Sequence, residues 1–480
     1  MRRTKIVATM GPATDTPEAV EELVRAGVDV VRLNFSHGSP DEHRRRAKLI
    51  RDIATKLDTT VAVLGDLQGP KIRTERFING GVHLEKEDSF ILDMNLGRDA
   101  GNQERVGVTY KSLSKEVVTG DIMMLDDGRI ILEVTRIDGL EIHTCVLNGG
   151  YLSNSKGINR RGGGLSAGAL TDKDKEDIKL AAELDVDYLA VSFPRSAADI
   201  EEARSLLKAA SGNAGIVAKI ERAEALEAID EIIIASDVIM IARGDLGVEI
   251  GDAELPAIQK ELIHKARVMD RVAITATQMM ESMIENPIPT RAEVFDVANA
   301  VLDGTDAVML SGETAVGKNP DRVVRAMSNI CEVAEQQQAA MKSDHRINTE
   351  FERVDEAIAM AAMYTANHTG AKAIAALTES GATTLWMSRI SSGIPIYAMS
   401  GVEKTRRRVK LYRGVYPADF PIKATSHAQA NMKAVEILQE HDIVDTGDLV
   451  IITKGDLMGS SGGTNAMKIV EVGNMIEPVN

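Results

Sequence analysis

Cysteine is nearly absent from this chain of 480 residues. Only Cys145 and Cys331 occur, far apart and outside any C-x-x-C spacing, which excludes a disulfide framework and a zinc ribbon and fits a reducing compartment. No apolar run approaches the length of a membrane span. The run after Met1-Arg2-Arg3-Thr4-Lys5 is also too short for a signal sequence, so a cytoplasmic protein with no anchor is expected. Positive charge is in deficit: 56 Lys and Arg stand against 72 Asp and Glu, for a formal net charge of −16. That balance excludes a general affinity for nucleic acid or an anionic membrane surface and leaves room only for a local basic pocket.

What is present is a rhythm. In the first seventy residues and again after about residue 170, short apolar runs alternate with amphipathic helical stretches, the pattern of βαβ units. Strands are predicted at Lys5 to Met10, Val30 to Phe35, Val61 to Asp66, Tyr188 to Phe193, Ile216 to Glu221, Val238 to Ala242, Val272 to Thr277 and Ala307 to Ser311. Eight such strands are the number that closes a (β/α)8 TIM barrel. One intervening helix, Val294 to Leu302, is announced by a capping box, Thr290-Arg291-Ala292-Glu293, and ends before Gly304. Between about Lys71 and Leu165 the pattern becomes hairpin-like, with turn signals at Asp127-Gly128 and Asp138-Gly139, as in a small antiparallel β-barrel. After about Asp344 a helix from Val354 to His368 precedes strands at Ala371 to Leu377, Pro395 to Met399 and Leu449 to Thr453, a small doubly wound unit without a G-x-G-x-x-G fingerprint. The expected fold is therefore a (β/α)8 TIM barrel at 1–70 and 166–344, an inserted β-barrel lid at 71–165, and a C-terminal α/β domain at 345–480.

The chemistry gathers at strand ends, where a TIM barrel places its active site. Lys219 and Glu221 are two apart and point to one face, and Asp245 lies at the end of the next strand. An ion pair at a strand end accounts for either run alone. Together they put two carboxylates and an ammonium around one point, hard oxygen ligands for Mg²⁺ or Mn²⁺ beside a group suited to a phosphoryl oxygen. Other predicted strands end in Arg32, Asn34, Ser36 and His37, in Asp66, in Thr277, and in Ser311. Cys and His are not concentrated in this ring, which disfavours thiol or Ser-His-Asp acyl transfer; His37 reads as a binding or structural residue. The inventory fits phosphoryl transfer, where catalysis is mostly positioning and charge stabilisation.

These residues sit in motifs that resemble the bacterial pyruvate kinases: RLNFSHG at Arg32 to Gly38, GDLQGPKIR at Gly65 to Arg73, AKIE at Ala218 to Glu221, ARGDLGVE at Ala242 to Glu249, ATQMMESM at Ala276 to Met283, and the run from Asn286 to Gly317. The resemblance implies phosphoryl transfer between phosphoenolpyruvate and ADP, yielding pyruvate and ATP, the last step of glycolysis. By position Glu221 and Asp245 resemble the divalent-metal ligands, and Lys219 the group that steadies the phosphoryl in flight. Arg32 resembles a phosphate-binding arginine, while the N–H groups of Gly244 and Asp245 and the Thr277 hydroxyl resemble the cradle for the substrate carboxylate. Asn34, His37, Arg73 and Lys156 fall to the nucleotide side, and Thr277 or Ser311 acting through water is the expected proton source for the enolate.

Family members that require K⁺ hold it with residues matching Asn34, Ser36 and Asp66 plus a threonine carbonyl, and carry a glutamate nearby. Here Leu67 stands at the threonine and Lys71 at the glutamate, so K⁺-independent activity is expected, with the Lys71 ammonium supplying the charge. The loop Thr378-Glu379-Ser380-Gly381-Ala382-Thr383 resembles an effector-phosphate loop, over which Gly455 to Asn465 would close. That implies activation by a sugar monophosphate or AMP, although a plain helix cap explains the same loop residues. The family usually forms homotetramers. Two rival readings stay open at this point: a metal-dependent barrel lyase acting on pyruvate or oxaloacetate, and a catalytically silent phosphometabolite sensor.

Overall fold

The computed structural model describes residues 1–165, 168–337, 341, 350–420, 426–456 and 463–474. Eight parallel strands close into a barrel: Lys5–Thr9, Val30–Asn34, Ala62–Asp66, Tyr188–Val191, Gly215–Ile220, Val238–Ala242, Val272–Ala276 and Ala307–Leu310. Closure is made by the first and eighth strands, in register from Lys5↔Ala307 to Ala8↔Leu310. Six of the eight strands stop one or two residues short of the runs in the sequence.

Alternation along each strand separates two cores. Ile6, Leu33, Val63, Ile216, Ile241 and Val308 face outward and pack beneath the helices, while Val7, Val30, Leu64, Val217, Met240 and Ile274 fill the interior. This parity fixes the direction of the side chains at each strand's end, since residues an even number of positions beyond an interior residue also face inward. The helix expected near Val294 runs over Arg291–Asp303, three residues earlier than its periodic part, because the capping-box residues form its first turn. Glu293 accepts the Thr290 N–H at 2.7 Å, and Gly304 ends the helix at φ 93°.

The segment between the third and fourth barrel strands forms a six-stranded sheet and a two-stranded sheet that share one apolar core, which includes Leu84, Phe90, Leu132, Val146 and Leu152. The Asp127-Gly128 turn has Asp126, Asp127 and Gly128 all at positive φ, as a tight hairpin needs. One pairing departs from the hairpin pattern: Ser89–Asp93 and Arg105–Gly107 run parallel.

The C-terminal sheet has five strands, and two of them carry no apolar run in the sequence. Val415–Asp419 is a parallel edge strand that contains Pro417, and Thr464–Glu471 is an antiparallel edge strand with half of its residues exposed and only Thr464 and Val470 buried. Edge positions tolerate both features. This domain docks on the N-terminal end of the barrel through cations that meet aspartates standing just before barrel strands. Lys410 pairs with Asp29 at 2.8 Å and Arg407 with Asp187 at 2.8 Å, and the Arg389 guanidinium grips Asp306 with both partners buried. No helix among the described residues is long and apolar enough to cross a membrane.

Candidate active site

Strand parity delivers the predicted ring. Arg32 and Asn34 follow the inward Val30, Asp66 follows the inward Leu64, and Lys219 and Glu221 follow the inward Val217, so all five point into the C-terminal mouth. The Lys219 ammonium lies 3.0 Å from Glu221 Oε1, 3.4 Å from Asp66 Oδ1 and 2.7 Å from Ser192 Oγ. Arg32 Nε donates to Asp66 Oδ2 at 2.6 Å, and its Nη1 donates to Thr9 Oγ1 at 3.1 Å. Glu221 Oε2 accepts the Phe193 N–H at 2.9 Å.

The charges of this cluster depend on one another. Burial opposes ionisation of Asp66, yet Lys219 and Arg32 outweigh it and hold the carboxyl below its usual value. Burial alone would strip the proton from Lys219, but Asp66 and Glu221 hold it on more firmly than in water. Glu221 is pushed up, first by burial; Lys219 opposes that shift and Asp245 adds to it. A buried ammonium kept charged between carboxylates is fixed positive charge of a kind that can stabilise a phosphoryl group.

Asp245 opens the helix Arg243–Ile250 directly after the sixth strand, and its Oδ1 is held at 2.7 Å by Lys71. Sequence reasoning put the Lys71 ammonium beside Asn34, Ser36 and Asp66. Here it meets Asp245, while Asp66 is paired with Arg32 and Lys219 and the Asn34 side chain accepts the Ser36 N–H at 3.0 Å. Leu67 is buried, and its carbonyl accepts from Ser192 Oγ at 2.8 Å.

Thr277 stands at φ 67° and Gln278 at φ 54°, a conformation that a β-branched residue seldom adopts and that clusters at functional sites. Arg243 holds this turn. It grips Asp296 with both nitrogens, at 2.6 and 2.8 Å, and donates to the Thr277 carbonyl at 2.7 Å. Thr277 Oγ1 in turn accepts the Gly244 N–H at 2.8 Å, which brings two of the expected carboxylate-cradle groups together. The Ser311 N–H donates to Glu313 at 2.6 Å, while Ser311 Oγ is buried without a partner, an arrangement that calls for a ligand or water.

The donor set matches a hard divalent ion. Among the described residues no three His, Cys, Asp or Glu side chains form a closed cage. Mg²⁺ instead favours one or two carboxylates completed by water and substrate oxygens, and Glu221 and Asp245 on adjacent strand ends, close enough for Asp245 to perturb Glu221, supply that.

Of the residues expected on the nucleotide side, His37 is held below its usual value by burial and by the charges of Arg73 and Arg32. Arg73 Nη1 donates to the Ser155 carbonyl at 2.9 Å, and Lys156 pairs with Asp126 at 2.7 Å, both within the inserted segment. In the loop expected to take an effector phosphate, Thr378 Oγ1 accepts the Gly381 N–H at 2.9 Å, Ser380 lies at the Ala382 N–H, and the Glu379 carbonyl accepts from Thr405. Thr383 meets Thr464 at 2.8 Å, while residues 457–462 of the proposed closing loop lie outside the described residues.

Ser192, Thr9 and Arg243 were missed by sequence reasoning. Ser192 and Thr9 lie at the ends of the fourth and first strands, so inspection of all eight strand ends by parity would have found them. Arg243 would have been found only from its tertiary bond to Asp296.

Fold and ring together define a class: a (β/α)8-barrel phosphotransferase. The family described as "Pyruvate kinase, barrel domain" matches residues 1–324, and "Pyruvate kinase, alpha/beta domain" matches residues 356–470. The chain is 56% identical over 476 residues to pyruvate kinase II of Salmonella typhimurium, covering 98% of this chain and 99% of that protein. It is 56% identical over 459 residues to the pyruvate kinase of Haemophilus influenzae, covering 95% and 96%, and 43% identical over 480 residues to that of Staphylococcus aureus (strain MRSA252), covering 99% and 81%. The chain belongs to the pyruvate kinase family.

Proposed function

We propose that this ring moves the phosphoryl group of phosphoenolpyruvate onto ADP without a requirement for K⁺, and that a phosphorylated effector acts on the C-terminal domain. The observation that carries the reading is the Lys219 ammonium, buried and kept charged between Glu221, Asp66 and Ser192. Arg32 and Lys219 hold the phosphoryl oxygens. The Gly244 and Asp245 N–H groups and the Thr277 hydroxyl take the substrate carboxylate, with Gly244 exchanging its bond to Thr277 for one to the ligand. Glu221 and Asp245 hold Mg²⁺ or Mn²⁺, which when bound neutralises charge between the phosphoryl oxygens. An ADP β-phosphate oxygen attacks phosphorus in line as the bond to the enol oxygen breaks, and Lys219 faces the charge left on that oxygen. The enolate then takes a proton at its methylene carbon, delivered through water from Thr277 or Ser311; the unpartnered Ser311 Oγ supports the latter.

Asn34, His37, Arg73 and Lys156 bind the nucleotide. Lys71, with Leu67 in place of a threonine, is the proposed substitute for the monovalent cation; its ammonium rests on Asp245 and reaches the region of Asn34, Ser36 and Asp66 only once that bond is released. The loop Thr378–Thr383 takes the effector phosphate, a reading supported by the bond from Thr383 to Thr464, and sugar monophosphates or AMP are the proposed class. We further propose the domains 1–70 with 166–344, 71–165 and 345–480, a homotetrameric assembly and a cytoplasmic location. The test is pyruvate formation from phosphoenolpyruvate and ADP in K⁺-free buffer, with and without Mg²⁺. Mg²⁺-dependent turnover is expected there, and Lys71→Glu acquires a K⁺ requirement. Complete loss of activity without K⁺, or a Lys71→Glu enzyme indifferent to K⁺, refutes that part. Absence of any shift in phosphoenolpyruvate saturation with sugar monophosphates or AMP refutes the effector.

A further inference from the structure

We infer that Lys71 competes with the divalent cation for Asp245, so that metal binding and release of the inserted domain's hinge are one coupled equilibrium. This rests on the reading of Asp245 as a metal ligand.

Lys71 belongs to the strap that leaves the barrel, Pro70-Lys71-Ile72, and this strap is zipped to the returning one. Ile158 N–H donates to the Ile72 carbonyl at 2.9 Å, and Thr74 N–H to the Lys156 carbonyl at 2.8 Å. The Lys71 stem lies over Gly157, where an added Cβ would come within 3.1 Å of the Lys71 Cε. The stem is thus packed between both straps, and its ammonium, 2.7 Å from Asp245 Oδ1, is a charged link from the paired straps to the sixth strand end. Other links among the described residues go to backbone or neutral side-chain groups. Glu249 meets Asn159 at 3.3 Å, Glu224 accepts the Gly164 N–H, and Arg222 donates to the Leu165 carbonyl at 3.1 Å.

Two cations cannot share Asp245 without mutual repulsion. A divalent ion at about 2.1 Å from a carboxylate oxygen meets an ammonium at hydrogen-bond distance from the same carboxylate. Both residues are about one-fifth exposed, so the repulsion is only partly screened. Metal arrival therefore frees Lys71, and with it one strap contact. The freed ammonium then becomes available to the neighbouring cation region. By linkage, whatever pins the straps against the barrel weakens the metal to the same degree.

The experiment titrates Mn²⁺ into the full-length, substrate-free enzyme, following free Mn²⁺ by electron paramagnetic resonance, with amide hydrogen exchange of residues 71–74 and 157–160 read in parallel. Lys71→Met is expected to bind Mn²⁺ about tenfold more tightly than wild type, about 1.4 kcal/mol. Saturating Mn²⁺ is expected to speed strap exchange in wild type and to leave it unchanged in the variant. Lys71→Gln, shorter and polar, serves as the second neutral variant and should show the same gain. Unchanged or weaker Mn²⁺ affinity in both variants overturns the competition, and tighter Mn²⁺ with unmoved strap exchange overturns the coupling to the hinge. Asp245→Asn separates this from failure of the underlying reading. If Asp245→Asn keeps wild-type Mn²⁺ affinity, the metal assignment itself is wrong; if it loses Mn²⁺ while the Lys71 variants change nothing, only the competition is wrong.

Discussion

Replacing Glu249 by glutamine removes a pH-sensitive catch from the hinge. Glu249 is only 7% exposed, beneath the returning strap. Its carboxylate accepts the Ala223 N–H at 2.8 Å and the Asn159 side-chain amide at 3.3 Å, and it lines a small cavity with Arg222, Glu224, Lys71 and Phe193. Burial pushes its carboxyl from 4.5 up to about 7; the bond from Ala223 opposes that shift and the Glu224 charge adds to it. When the strap lifts, the group meets water and returns towards the ordinary value. The closed hinge then binds the proton more tightly than the open one, so the stabilisation is complete below about pH 4.5 and is lost as pH rises through about 7. The span from 4.5 to about 7 corresponds to about 3 kcal/mol at most, roughly three-hundredfold in the opening constant. The assay is hydrogen exchange of residues 159–164 at pH 5, 6.5 and 8.5, corrected for intrinsic rates. Wild type should open progressively more often as pH rises, and Glu249→Gln should lose most of that dependence. Parallel pH profiles in the two proteins would refute the reasoning, as would an opening that becomes rarer in alkali.

Two further substitutions probe the two ends of the barrel. Lys219→Gln should lower kcat by about a thousandfold or more in steady-state pyruvate formation, because it deletes the charge facing the transferring group; a loss below tenfold would remove Lys219 from the reaction. Asp306→Ala leaves the Arg389 guanidinium buried opposite no carboxylate and should cost about 3–5 kcal/mol, seen by calorimetry as earlier unfolding of the C-terminal domain. The double variant with Arg389→Met should recover part of that loss, and a double variant no more stable than Asp306→Ala would count against the buried-charge argument.

Much of the ring was legible because strand parity is a local property. The separation of Lys219 from Glu221 and of Arg32 from Asn34 already states which side they share, and the barrel only has to close for them to meet. What was illegible depends on distance along the chain. Lys71 and Asp245 are 174 residues apart, and no periodicity relates them; their ion pair arises from how the inserted segment returns to the barrel. The C-terminal edge strands are illegible for a different reason, since one carries Pro417 and the other buries only two of its eight residues, so neither has the apolar signature of an interior strand. One pattern was present and went unread. Asp29, Asp187, Asp237 and Asp306 each stand immediately before a barrel strand, and each accepts an N–H from the strand beside it: Ile6, Val63, Ile216 and Ala273 respectively. Short carboxylates at strand starts tie neighbouring strands together, and three of the four also receive a cation from the C-terminal domain.

The barrel thus uses paired charge at both ends to opposite effect. At the N-terminal end the pairs are complete within the protein: Asp306 and Arg389 are buried against each other, with nothing left for a ligand to satisfy. At the C-terminal mouth Arg32, Lys71 and Lys219 face Asp66, Glu221 and Asp245, a set whose members are shared rather than saturated. Asp66 serves two cations at once, and burial and the Asp245 charge both disfavour ionisation of Glu221. Two highly anionic substrates entering such a balanced ring bring repulsion that the resident cations cannot cancel alone, so positive charge has to arrive with them. The carboxylate pair Glu221 and Asp245 is where it can be accepted. On the proposed competition, accepting it there also frees the Lys71 ammonium now held by Asp245, a charge the protein already carries, to face the incoming anions.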